Sequence, residues 1–385
     1  MAYFSMEISS DSANFGPLSQ RFLSEIIPSI QSKCSTNTES SRNWLNLGKY
    51  LMLADRVADA TSALQRSLQL DTSYEALLLL GELSIGMGKR DDAIRYLKTC
   101  IELRSERWEP WARLSVVFDW LTEREEVIKY QTQALKLLSA QNTGGEVFAS
   151  KKNDPVSMYI DLIKRTLTDL IYDEPETISL RCHGLDWPLR AHSMMGLYAL
   201  DNIESCVQSI IEDGIEGDLV EAGVWRGGGT ILMRAILKVL GDCGRKVWVC
   251  DSFQGLPDSD SVRQMTQKDR DLLAVSRSTV ENNFRRYGML DQQVDFLEGW
   301  FTDTLPASPI EKVALLRLDG DLYSSTWDSL IHLYQKVSPG GFVIIDDFGS
   351  IPECRDAVTH FRRKFSISEP IHFINWQAIY WRKSL

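Results

Sequence analysis

Five apolar runs in the second half of the chain each stop on a polar cluster: DLVEAGV from Asp218, KVWVCDS from Lys246, VDFLEGW from Val294, VALLRLD from Val313 and GFVIIDD from Gly341. The stretches between them are amphipathic and long enough to cross over a sheet, as parallel strands require. Runs this continuously apolar belong to strands covered on both faces. The pattern predicts a doubly wound, mainly parallel α/β sheet. Ligands of such sheets lie beyond the carboxyl ends of the strands, so the informative residues are those that close each run.

The first run closes on EAGVWRGGGT, where Glu221 and Gly223 leave the strand and Gly227, Gly228 and Gly229 let the backbone turn close to a ligand before a helix begins at Ile231. No Lys-Ser or Lys-Thr follows, which disfavours a phosphate-cradling loop. The second run closes on Asp251 and Ser252, and a carboxylate there can accept from both hydroxyls of a ribose. A glycine turn with a ribose acid points to an adenosine-containing cofactor, NAD or S-adenosylmethionine. Glu221 decides for the second, because its charge would repel a pyrophosphate and tolerates a cationic sulfonium. The third run ends in Glu298, Gly299 and Trp300. Trp300 reads either as a flat surface for adenine or as an ordinary core tryptophan.

The last two runs end in acid. Asp319, Asp346 and Asp347 should project from neighbouring strands into one crevice, where close carboxylates raise one another's pKa unless a cation neutralises them. An all-oxygen set suits Mg²⁺, with Mn²⁺ or Ca²⁺ as substitutes. Strand-end caps and surface ion pairs are the competing reading. Asp321 lies two residues past Asp319, so in an extended segment both point to the same side. It is the expected general base for a hydroxyl acidified by the ion.

The front of the chain repeats. WLNLGKYL at Trp44, LLLLGELS at Leu77 and WARLSVVF at Trp111 are offset by 33 and 34 residues, and Ala60, Ala93 and Val127 follow at a fixed distance. A large residue, Leu and Gly on a first helix (Trp44, Leu47, Gly48; Leu77, Leu80, Gly81), then Ala and a large residue on a second (Ala60, Leu64; Ala93, Leu97), resemble the tetratricopeptide repeat. Small residues sit where helices cross closely and large ones fill the next groove. The third unit departs, with Ser115 and Gln131 at the Gly and large positions, as a terminal repeat does; an ordinary helical bundle is the alternative. Such an array usually offers a concave face to a peptide or subunit. The expected organisation is an N-terminal segment (1–40), an all-α repeat domain (41–140), a linker rich in Gly and polar residues (141–155) and a cofactor-binding domain (156–385).

At 385 residues, two domains are the natural expectation. A net charge of -11 disfavours nucleic acid, since a phosphate-binding face needs surplus Lys and Arg. No apolar stretch approaches the ~20 residues of a membrane span and the start lacks a secretory pattern, so a cytoplasmic protein without a membrane partner is expected. The seven cysteines form no CxxC pair, which suits reduced, buried thiols. The five histidines show no ligand spacing and are expected to be structural.

From about Met158 to the C-terminus the chain resembles the macrocin O-methyltransferases, the TylF-like enzymes of macrolide and aminocoumarin biosynthesis. The resemblance is carried by YIDLIKRTLTDLIYDE, MMGLYALDNI, GDLVEAGVWRGGGTILMRA, VWVCDSFQGLP, FLEGWFTDTLP, LRLDGDLYSSTWDSL, SPGGFVIIDDFG and AIYWR. It implies a Rossmann-like, class I methyltransferase fold and S-adenosylmethionine- and Mg²⁺-dependent methylation of a sugar hydroxyl on a glycosylated natural product. It puts the metal on Asp319, Asp346 and Asp347, the base on Asp321, and cofactor contacts on Glu221, Gly223, Gly227, Asp251 and Ser252. Ser193-Met194 stands where the family has Thr-Met, near the cofactor's amino-acid end.

The family lacks a repeat domain, so two other functions stay open: methylation of a protein or carrier-bound acceptor docked by the repeats, and a scaffold that binds cofactor without turnover. A homo-oligomer is also left open. The segment from Asp260 to Phe284 reads as an insertion or lid.

Overall fold

A computed structural model describes residues 16–118, 122–140, 154–172, 180–186, 189–259, 262 and 265–384. Most of the expected linker lies outside these residues; its last two positions start a helix. Asp154 accepts from Ser157 N as the N-cap and Pro155 occupies the first turn, where its missing N–H costs nothing.

Among the described residues seven helices come first: α1 (Gln20–Thr36), α2 (Ser41–Leu53), α3 (Val57–Leu70), α4 (Tyr74–Gly86), α5 (Arg90–Leu103), α6 (Glu109–Val117) and α7 (Arg124–Ala140). Ser40 and Ser73 cap α2 and α4 through Asn43 N and Ala76 N, and Pro110 sits in the first turn of α6. α2 pairs with α3 and α4 with α5, each through a glycine. A Cβ on Gly48 would stand 2.6 Å from the Leu64 side chain, and one on Gly81 2.8 Å from that of Leu97. Both leucines are fully buried.

The remaining chain builds one seven-stranded sheet from β1 (Asp218–Ala222), β2 (Val247–Asp251), β3 (Val294–Glu298), β4 (Val313–Leu318), β5 (Val337–Ile345), β6 (His372–Phe373) and β7 (Ile379–Arg382), in the order β3-β2-β1-β4-β5-β7-β6. The first five strands are parallel, and β7 runs antiparallel to β5 and β6. α8 (Pro155–Leu167), α9 (Leu197–Glu212), α10 (Gly228–Val239) and α12 (Arg277–Arg286) bury one face around Ile203, Leu219, Ile236 and Phe284. α14 (Tyr323–Leu333) and α15 (Pro352–Lys364) bury the other around Val220, Leu316, Leu330 and Phe361. Short helices α11 (Gln267–Leu273) and α13 (Phe301–Thr304) lie at the strand ends. No helix among the described residues is long and apolar enough to cross a membrane.

Strand order reverses between β1 and β4, and the backbone there is very close. Gly223 has φ +88°, and a Cβ on it would stand 1.8 Å from the Asp319 carbonyl oxygen, so no other residue fits. The crevice at this switch point is where a doubly wound sheet takes its ligand.

Candidate active site

A cleft of ≈1030 Å³ opens over the carboxyl ends of β1, β2, β4 and β5. Ser193, Met194, Glu221, Gly223, Asp251, Ser252, Gly299, Trp300, Asp319, Asp321, Asp346 and Asp347 all line it. Gly227 does not. It begins α10 with φ +87°, and a Cβ there would meet Val280 at 2.8 Å, so its task is the turn itself. Gly228 and Gly229 line the cleft in its place: a Cβ on Gly229 would come 2.2 Å from Glu221 Oε1.

The floor of the cleft is organised by a residue that the sequence reading passed over. Arg317, fully buried within β4, places Nη1 2.7 Å from Glu221 Oε1 and 3.0 Å from Asp319 Oδ2, and Nη2 2.7 Å from Asp346 Oδ1. The carboxylates are therefore not left to a metal alone, as expected above. The available signal was a lone cation in an otherwise apolar run, two residues before the first acid. Glu221 is buried too, and its carboxyl is pushed up to about 7 by burial against the pull of Arg317.

One guanidinium does not balance the acids around it. Asp319, Asp346 and Asp347 each offer an oxygen within 4.8 Å of the others, the only such group of potential metal ligands among the described residues. Burial pushes Asp346 up to about 6 although Arg317 pulls it down, and burial with its acidic neighbours raises Asp347 well above the usual range. Asp346 Oδ1 makes no aligned hydrogen bond despite the nearby guanidinium, and Asp347 Oδ2 has no hydrogen-bond donor. A buried Asp347 oxygen without a donor, in an all-oxygen set of excess negative charge, fits a hard divalent cation.

Asp321 reaches this group by a route other than the one expected. The chain after β4 is not extended: Asp321 takes a left-handed φ of 56°, which Asp tolerates better than most residues. The turn brings its carboxyl against Asp347, and burial, then the neighbouring Asp319, pushes it up to about 7. Trp225 (φ 46°) and Phe253 (φ 57°) are left-handed too, so the closures of β1, β2 and β4 all carry backbone strain beside the cleft. Asp251 spends one lone pair per oxygen on Val224 N (2.8 Å) and Phe253 N (2.7 Å), and burial raises its pKa. Trp300 is half-buried on the cleft wall, not sealed in a core.

The segment read as a lid divides in two. Val262, Met265 and Leu273 line the cleft, whereas α12 is the crossover helix between β2 and β3, packing Val280 and Phe284 into the core. Leu135, Leu185, Trp376 and Gln377 complete the lining from outside the strand ends and had no signal in the sequence. Gln377 Nε2 donates to Asp346 Oδ2 at 3.4 Å.

Residues 154–383 match the model of the family described as Macrocin-O-methyltransferase (TylF). The chain is 49% identical over 246 residues to the 8-demethyl-8-(2,3-dimethoxy-alpha-L-rhamnosyl)-tetracenomycin-C 4'-O-methyltransferase of Streptomyces olivaceus, covering 60% of this chain and 94% of that protein. It is 45% identical over 254 residues to the demethyldecarbamoylnovobiocin O-methyltransferase of Streptomyces niveus, covering 61% and 97%. Among solved structures, the O-methyltransferase NovP shares 46% identity and a TM-score of 0.56 over 60% of this chain and 100% of its own.

Proposed function

The chain belongs to the macrocin O-methyltransferase family and is an S-adenosylmethionine-dependent O-methyltransferase, and on that premise we propose that it methylates a sugar hydroxyl of a glycosylated natural product with the help of Mg²⁺. Asp319, Asp346 and Asp347 would hold the cation. The support for this is their convergence within 4.8 Å, with a buried Asp347 oxygen that meets no hydrogen-bond partner and more negative charge than Arg317 alone balances. Bound there, Mg²⁺ would lower the pKa of a nearby hydroxyl, while S-adenosylmethionine supplies an electrophilic methyl.

The chain's own residues do the rest. Asp321 takes the proton that the acceptor hydroxyl gives up; its left-handed turn sets the carboxyl beside Asp347, within reach of a hydroxyl held at the cation. Asp251 and Ser252 face the ribose, Trp300 the adenine, and Glu221, Gly223 and the Ser193-Met194 segment the amino-acid end. Arg317 keeps Glu221, Asp319 and Asp346 gathered when the cleft is empty of substrate. We take residues 41–140 as tetratricopeptide-like repeats, 141–155 as the linker and 156–385 as the catalytic domain. Seven free cysteines, six of them buried, suit the cytoplasm.

The test is transfer of a labelled methyl from S-adenosylmethionine into small-molecule and protein fractions of source-cell extract, with Mg²⁺ or with EDTA. Small-molecule label abolished by EDTA is expected. Label that survives EDTA would remove the metal from the mechanism, and label in protein would make the repeats an acceptor-docking arm.

A further inference from the structure

Part of the surface that α2 and α4 present packs against the chain's own sheet edge. Lys49, Met52, Leu79 and Glu82 close around His372 and Phe373 at the sheet edge, leaving a cavity of only ≈20 Å³. Asp55 Oδ1 lies 3.3 Å from His372 Nε2. Arg113, buried on α6, donates to Glu82 Oε1 at 2.8 Å and lies 3.9 Å over the Phe373 ring.

Contacts then run from this seam to the acidic floor. Arg113 Nη1 donates to the carbonyl oxygen of Asn375 at 2.9 Å. Asn375 Oδ1 accepts from Gln377 N and Ala378 N, shaping the turn that presents Gln377 to Asp346. The Gln377 carbonyl accepts from Gly349 N at 2.7 Å, two residues past Asp347. From the other side Gln131 of α7 reaches Ser350 O at 3.5 Å, and Ser350 Oγ reaches Asp347 Oδ1 at 3.3 Å. Gln131 is one of the two residues that depart from the repeat pattern. Where Leu64 and Leu97 fill a groove between helices, this polar side chain turns to the catalytic loop. One turn further along α7, Leu135 lines the cleft.

We propose that the last helix pair, α6 and α7, belongs to the methyltransferase site: Arg113 and Gln131 are positioning residues that hold the loop from Asp346 to Ser350 in its metal-binding arrangement. This rests on the carboxylate-metal reading above. Groups that orient metal ligands through hydrogen bonds typically contribute a factor of about 10 to 100 in metal affinity.

The test uses the full chain and Mn²⁺ alone, with free Mn²⁺ followed by electron paramagnetic resonance and S-adenosylmethionine affinity measured separately by calorimetry. Gln131→Ala should weaken Mn²⁺ binding about threefold, and Arg113→Met combined with Glu82→Met about tenfold, with S-adenosylmethionine affinity unchanged. Arg113→Lys should recover part of the loss. Removing Arg113 and Glu82 together avoids stranding a buried carboxylate, and if that variant still fails to fold, Gln131→Ala decides alone. Mn²⁺ affinity unchanged in the folded variants, or both affinities falling together, would overturn the positioning role. A wild-type protein that takes up no Mn²⁺ would instead overturn the metal reading itself.

Discussion

Two fully buried arginines show how differently the two halves of this molecule use charge. Arg113, in the seam between the helices and the sheet edge, meets one carboxylate, one carbonyl and an aromatic face. Arg317, on the cleft floor, meets the carboxylates of Glu221, Asp319 and Asp346, with Asp321 and Asp347 just beyond. The first arrangement is balanced and closes an interface. The second carries surplus negative charge, which together with burial raises the pKa of Asp346 and Asp347, and it is the arrangement on which the proposed cation site rests. A buried ion pair is thus informative about function only when its charges fail to cancel.

The largest expected effect tests that asymmetry. Arg317→Met strands three carboxylates and should cost about 4 kcal/mol in urea unfolding, more than Arg113→Met, which strands one. Equal losses would mean that the floor is no more strained than the seam. Next, Asp321→Asn should cut methyl transfer by about 10² to 10⁴ while leaving S-adenosylmethionine affinity intact; unchanged turnover would take Asp321 out of the base role.

A third prediction concerns the seam's neutrality. His183 packs between Trp108 and Tyr198, and burial lowers its pKa from 6.5 to about 4. The folded state then binds its proton less readily than the unfolded chain. Its stabilising contribution is full above pH 6.5 and is lost as pH falls toward 4, by roughly 3 kcal/mol in all. Thermal unfolding from pH 7 to 4.5 should therefore fall more steeply in the wild type than in His183→Phe, and parallel curves would show that the seam admits a charge. The smallest effect is Leu135→Asn, expected to raise the acceptor KM about threefold with kcat and the S-adenosylmethionine KM unchanged. No change would place the acceptor away from α7.

Much of the site was legible because strand-end chemistry is local. Asp319, Asp346 and Asp347 were readable as one group since β4 and β5 are adjacent parallel strands whose ends share a crevice. The conformation of Asp321 was not, because a left-handed turn after Gly320 replaced the extended chain that simple alternation suggested. Gly227, expected as a cofactor contact, stands off the cleft lining, where Gly228 and Gly229 lie instead. The packing of the helix pairs on the sheet edge was not legible either: a concave face looks free in a sequence whatever later lies against it.

The sequence by itself determined the elements, the order in which strands deliver acids to one end of a sheet, and the spacing that lets Gly48 and Gly81 seat Leu64 and Leu97. These depend on periodicity and on residues a few positions apart. Only the tertiary structure decided that Arg317 would sit among three carboxylates, that Arg113 would bind a carbonyl 262 residues away, and that Gln131 would reach one 219 residues away. Contacts of that range arise from the packing of two separately patterned surfaces, and nothing in the local sequence records which partner each surface will meet.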